Sequence, residues 1–115
     1  MKTIALEVAP LEEALSAFST AWKTGKPEHE ARISFATPEL LWKTLTEKRW
    51  ALLKALAGTG TVSIREAARR VGRDVKAVHG NVKALVNAGV LHRTADGVVF
   101  PYEAVHVDFT LRAVA

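Results

Sequence analysis

Six cations, Arg65, Arg69, Arg70, Arg73, Lys76 and Lys83, recur within a stretch of 19 residues, and the polar groups beside them are those that hydrogen-bond to nucleic acids. Guanidinium and ammonium groups at this spacing neutralise phosphates and displace condensed counterions. Arg73 can reach a phosphate or a guanine edge, Asn81 can read adenine through its carboxamide, and His79 can donate to a base or a phosphate. Ala77 and Gly80 share the same turns. Gly80 has two readings: it lets a duplex approach the backbone closely, or it makes room for a neighbouring helix. Either use is set against the cost of about 1 kcal/mol that glycine carries relative to alanine inside a helix. Downstream, Arg93 and Thr94 precede Ala95-Asp96-Gly97. That triplet is a hairpin signal, and it places both residues at a tip able to touch a sugar–phosphate backbone.

Other chemistries find fewer residues. The chain has no cysteine, which removes disulfides, thiol catalysis and cysteine-ligated zinc. His29, His79, His92 and His106 form no His-x-x-x-His pair. His106 and Asp108 share one face of a strand pattern but lack a third ligand, so a surface pair is the reading taken. Gly58-Thr59-Gly60 lacks the lysine of a phosphate loop, and no serine sits in a nucleophile elbow. The expectation is a binding protein, not an enzyme, with no cofactor and no metal site.

The binding residues need elements to hold them. Ser63-Ile64-Arg65-Glu66 matches a capping box, with Ser63 as cap and Glu66 reaching back. The helix it opens turns Ile64, Ala67, Ala68 and Val71 inward and ends at Gly72. Asp74 caps a second helix, Val75 to Ala88, whose buried side is expected to hold Val75, Val78, Val82, Leu85 and Val86, with Gly89 as its stop. Ala67 and Ala68 are small enough for the two helices to cross closely. Upstream, Thr37-Pro38 and Thr46 are both cap signals, so residues 38–57 form either one kinked helix or two. Val90 to Arg93 and Val98 to Phe100 read as the arms of the hairpin. Helix, short helix, tight turn, longer helix and hairpin in this order make a winged helix-turn-helix.

The flanks alternate. Lys2 to Val8, His29 to Phe35 and Val105 to Leu111 each place apolar residues on one side, as strands with one buried face do. Between the first two, Leu11, Ala14, Leu15, Phe18 and Trp22 recur at helical spacing. The expected fold class is therefore α+β: a winged helix-turn-helix at 37–100, a strand-helix-strand dimerisation element at 1–36, and a C-terminal strand at 101–115 packing with it. Strand edges need partners, and a second copy of the chain is the simplest one. A two-fold homodimer presents two recognition helices to a palindromic site. Trp22, Trp42 and Trp50 are read as core or dimer-interface residues.

Charge and composition agree with this division. The 115 residues include 16 Lys+Arg and 12 Asp+Glu, a formal charge of +4. Residues 46–100 hold ten basic against four acidic residues, a net of +6, while the segments on either side are each at −1. A basic centre between near-neutral ends is the footprint of a polyanion-binding module. No apolar run approaches the roughly 18 residues of a membrane helix. Met1 to Val8 is too short and too alternating for a signal peptide. A cytoplasmic protein without membrane contact is expected.

The run Ser63 to Asp74, followed by Val78-His79 and Val82-Lys83-Ala84-Leu85, resembles the MarR-like winged-helix regulators. More narrowly, together with the closing Phe100-Pro101-Tyr102-Glu103-Ala104-Val105-His106-Val107-Asp108-Phe109, it resembles a group of small prokaryotic DNA-binding proteins first named from haloarchaea. The resemblance implies a transcriptional regulator acting as a repressor, one often found as the antitoxin of a toxin–antitoxin pair, with a small toxin protein as a further partner. One position departs from the pattern: Gly80 stands where a recognition helix more usually has a long polar side chain. A second function class is a protein-interaction module that neutralises a partner protein and makes only weak DNA contact.

Overall fold

The computed structural model describes residues 2–9 and 31–110. The helix expected over Leu11–Trp22 and the end of the last expected strand, at Leu111, lie outside these residues. The described chain is α+β. In chain order it has β1 (Thr3–Val8), β2 (Ala31–Phe35), α1 (Pro38–Thr44), α2 (Glu47–Leu56), α3 (Ile64–Val71), α4 (Val75–Asn87), β3 (His92–Thr94), β4 (Gly97–Val99) and β5 (Ala104–Asp108). No described helix is long and apolar enough to cross a membrane.

The three flanking strands form one parallel sheet in the order β2-β1-β5. Leu6 stands opposite Ile33 on one side and Val107 on the other. Both edges of β1 are thus satisfied within the chain, so its strand pairing needs no second copy. The alternation in β1 predicts an exposed side at Ala5, yet Ile4, Ala5 and Leu6 are all buried. A central strand of a parallel sheet is covered on both faces, and Ala5 is small enough to sit under its neighbours. Further along, Glu7 holds β2 in register: its carboxylate accepts from Arg32 Nη1 at 3.0 Å and from Ser34 Oγ at 2.9 Å.

Residues 38–57 hold two helices. The Thr46 hydroxyl accepts from the backbone N–H of Arg49 and restarts the chain after Leu45. Thr37 caps α1 in the same way, with Pro38 at the first helical position. Leu41, Leu45, Leu52, Leu53 and Leu56 join Ala67, Ala68, Val78, Val82, Leu85, Val98, Phe100 and the β1 residues Ile4 and Leu6 in one core. α3 packs on both α2 and α4. Trp50 is packed against this core, whereas Trp42 is 47% exposed and meets Phe109 edge-on at 5.9 Å. Leu40 is exposed beside it.

The hairpin β3–β4 is joined to the start of α3. Val62 and Val98 exchange both backbone hydrogen bonds, at 2.9 and 2.8 Å. Neither Ala95 nor Asp96 has a positive φ; Gly97 takes it, at 150°. At the other end of α4, the N–H groups of Val90 and Leu91 both donate to the carbonyl of Leu85, at 2.9 and 3.2 Å, which fixes where the hairpin leaves the helix.

Candidate nucleic-acid interface

The α3–turn–α4 unit follows from local signals. Ser63 Oγ accepts from the N–H of Glu66 at 3.0 Å, which is half of the expected capping box. The other half is absent from the described hydrogen bonds, because the Glu66 carboxylate turns forward along the helix. It accepts from Arg69 Nε at 2.8 Å, from Arg69 Nη2, and from Arg70 Nε at 3.1 Å. Two guanidinium groups three and four residues on outcompete one backbone donor for a carboxylate. The hydrogen bonds from Arg69 first, and then from Arg70, hold the Glu66 carboxyl at a pKa of about 2, and the same contact raises Arg69. Gly72 closes α3 with φ at 66°. Asp74 then opens α4, its Oδ2 accepting from the N–H groups of Lys76 and Ala77 at 3.1 and 3.4 Å.

α4 buries Val78, Val82 and Leu85 on one stripe. Val75, expected on that stripe, is 45% exposed. It is the first residue of the helix, one turn beyond Val78, where the core has ended. The opposite side carries Lys76, Ala77, His79, Gly80 and Lys83, all exposed. Lys76 and Lys83 are seven positions apart, two turns of helix, so both project from one face with His79 and Gly80 between them. Among the described residues neither lysine has an ion pair or a side-chain hydrogen bond. Arg65 on α3 and Arg93 and Thr94 on β3 are exposed as well, so each of these side chains is accessible from outside.

Four of the sequence-derived residues are paired or partly enclosed. Asn81 is half-buried, and its Oδ1 accepts from Arg49 Nε of α2 at 3.2 Å, so this carboxamide is tied to the scaffold. Arg73 is half-buried in the turn, and its Nη1 is enclosed with no hydrogen-bond partner. Arg69 and Arg70 are both paired to Glu66, although the Arg69 side chain is 73% exposed. Arg49 was not singled out by sequence reasoning. Besides Asn81 it donates from Nη1 to the carbonyls of Thr44 at 2.9 Å and Lys43 at 3.3 Å, closing the end of α1. Lys and Arg count alike in a charge tally, and the only local hint was a basic residue soon after a helix end.

Gly80 separates its two readings. A Cβ built there meets no atom within 4 Å, so the glycine makes no room for a neighbouring helix. Its backbone is ordinary helix and alanine fits without strain. Gly80→Ala is expected to raise stability by about 0.5–1 kcal/mol, read by thermal or urea unfolding. A loss of stability would mean that the site is more confined than its surroundings indicate.

Among the described residues no cluster of three His, Cys, Asp or Glu is placed to hold a metal ion. The arrangement offers a cationic, donor-rich surface on a rigid helix. In comparison with known proteins, the model of the HVO_A0114 family matches residues 44–107, from the end of α1 through most of β5. No curated protein matches the chain.

Proposed function

The chain belongs to the HVO_A0114 family, and from that premise and the outward face of α4 we propose a sequence-specific regulator of transcription that binds double-stranded DNA as a winged helix-turn-helix. In this reading α4 enters the major groove, α3 lies across its start, and the β3–β4 hairpin is the wing. The observation that carries the proposal is the row Lys76, His79, Gly80 and Lys83, exposed and unpaired opposite Val78, Val82 and Leu85. Two unpaired lysines flanking a glycine suit phosphates on either side of a close backbone approach. A homodimer matched to a palindromic site fits this role. So does repression of its own gene as the antitoxin partner of a small toxin protein, the arrangement that the family resemblance suggests.

Binding to the DNA upstream of its own gene is expected to weaken steeply with salt. Lys76→Ala and Lys83→Ala should each lower the slope of log K against log salt by about one. Equal affinity for a scrambled duplex would defeat the reading. Gly80→Ala, stabilising in the free protein, should weaken specific binding by pushing the duplex from the helix backbone. Glu66 supplies an independent check. Glu66→Gln removes the carboxylate that Arg69 and Arg70 share, and should strengthen DNA binding several-fold at low salt with little change at high salt. An unchanged affinity would place the outer side of α3 away from the duplex.

The second reading, a module that neutralises a partner protein, draws on a different observation. Leu40 and Trp42 are both 47% exposed on α1, away from the basic row in sequence. The two functions can coexist in one antitoxin.

A further inference from the structure

A cavity of about 400 Å³ lies between α2 and the segment that joins the hairpin to β5. Its size falls within the range of small-molecule sites. Trp50 and Leu53 form the α2 wall, and Phe100 and Val105 form the other. Each wall also brings one charge: Lys54 from α2 and Glu103 from the joining segment. Among the described residues neither makes an ion pair or a side-chain hydrogen bond, with each other or with another group. Apolar walls with one free ammonium and one free carboxylate on opposite sides discriminate among head groups. A simple acid is drawn to Lys54 but repelled by Glu103. A simple amine meets the reverse. A molecule carrying both charged groups on one carbon, with an apolar body, satisfies both.

We infer that this cavity binds a small zwitterion with an apolar body, of the class of the large apolar amino acids. The carboxylate faces Lys54, the ammonium faces Glu103, and the side chain lies against Trp50 and Phe100. The position also suits regulation, a corollary that rests on the DNA-binding reading. Trp50 directly follows Arg49, whose guanidinium ties α2 to Asn81 of α4. Filling the cavity would therefore bias the placement of α4.

The test is calorimetric titration of the full chain, without DNA, with L-phenylalanine, L-leucine and L-tryptophan, and with two charge-deleted analogues, 3-phenylpropanoate and 2-phenylethylamine. Saturable binding of at least one amino acid is expected, with each analogue about tenfold or more weaker than phenylalanine. Lys54→Met should abolish the advantage of phenylalanine over 2-phenylethylamine, and Glu103→Gln its advantage over 3-phenylpropanoate. Both residues are exposed, so neither change endangers the fold. The inference is overturned if none of the three amino acids binds at millimolar concentration, or if the variants leave the preferences intact. It also falls if either substitution converts an oligomer to a monomer by light scattering, since the cavity would then be a subunit interface. Failure of these titrations leaves the DNA reading standing, and failure of the ligand-free protein to bind DNA leaves the cavity standing.

Discussion

Replacing Gly97 with alanine is expected to remove about 3–5 kcal/mol of folding stability, a large share of the roughly 5–15 kcal/mol that holds a domain of this size. Two costs add. The backbone at Gly97 has φ of 150°, which L-residues avoid. A Cβ there would also fall onto the Val62 carbonyl, 2.7 Å from its carbon and 3.0 Å from the Cα of Ser63. Those atoms cannot yield cheaply, because the Val62 carbonyl accepts from the N–H of Val98 at 2.8 Å and Ser63 caps α3. Moving them breaks the bridge between hairpin and helix or the cap itself. Gly72→Ala is the control. Gly72 also has a positive φ, 66°, but no atom lies within 4 Å of its added Cβ, so only the backbone cost of about 1 kcal/mol remains. Equilibrium urea unfolding reads both. A Gly97→Ala loss no larger than that of Gly72→Ala would show that the hairpin is free of α3, and with it Arg93 and Thr94.

The contrast between these glycines marks what the sequence alone makes legible. Ser63, Gly72 and Asp74 act on groups within four residues of themselves. The bounds of α3 and α4 are accordingly readable from caps and stops: the structure gives Ile64–Val71, closed by the expected stop at Gly72, and Val75–Asn87 against an expected 75–88. Gly97 could be recognised as a turn residue, but the reason it must stay glycine is Val62, 35 positions earlier. The same limit hides the sheet. Alternation finds the strands, yet that β1 lies between β2 and β5, both parallel to it, depends on chain crossings that leave no local trace. Within the candidate site, Lys76, His79, Gly80 and Lys83 were legible because helical spacing alone puts them opposite Val78, Val82 and Leu85. Asn81 is three residues after Val78 and four before Leu85, which puts it at the border of the buried stripe and fits its half-burial; what leaves no local trace is its partner Arg49, 32 residues away.

Charge shows the same division. The net of +6 over residues 46–100 counts every cation equally. In the structure Arg49 is spent on scaffold carbonyls and Asn81, Arg69 and Arg70 share Glu66, and Arg73 is partly enclosed. The unpaired, exposed charge narrows to Lys76, Lys83, Arg65 and Arg93 at the proposed interface, together with Lys48 and Lys54 on α2. A salt slope close to that narrower set, and not to the full tally of ten cations, is what the proposed contact implies.

Arg49→Met should separate scaffold from contact surface. The side chain is half-buried and serves three acceptors: Asn81 Oδ1, and the carbonyls of Thr44 and Lys43 at the end of α1. Methionine keeps much of the volume but donates nothing, leaving the carboxamide oxygen and two helix-terminal carbonyls to find water or go unpaired. The expected loss is about 2–3 kcal/mol of stability, and Arg49→Lys should recover only part, because one ammonium cannot reproduce the guanidinium fork. A double-mutant cycle with Asn81→Ala should give a coupling of about 0.5–2 kcal/mol, as for other hydrogen-bonded neighbours. The DNA readout distinguishes this role from that of the lysines. Loss of a phosphate contact lowers affinity and flattens the salt dependence together. Loss of the strut that orients α4 should lower affinity for the specific duplex while leaving the slope unchanged, since no phosphate contact is removed. If Arg49→Met instead flattens the slope by about one, as Lys76→Ala is expected to, the guanidinium leaves Asn81 for a phosphate on binding, and the contact between α2 and α4 is a switch and not a strut.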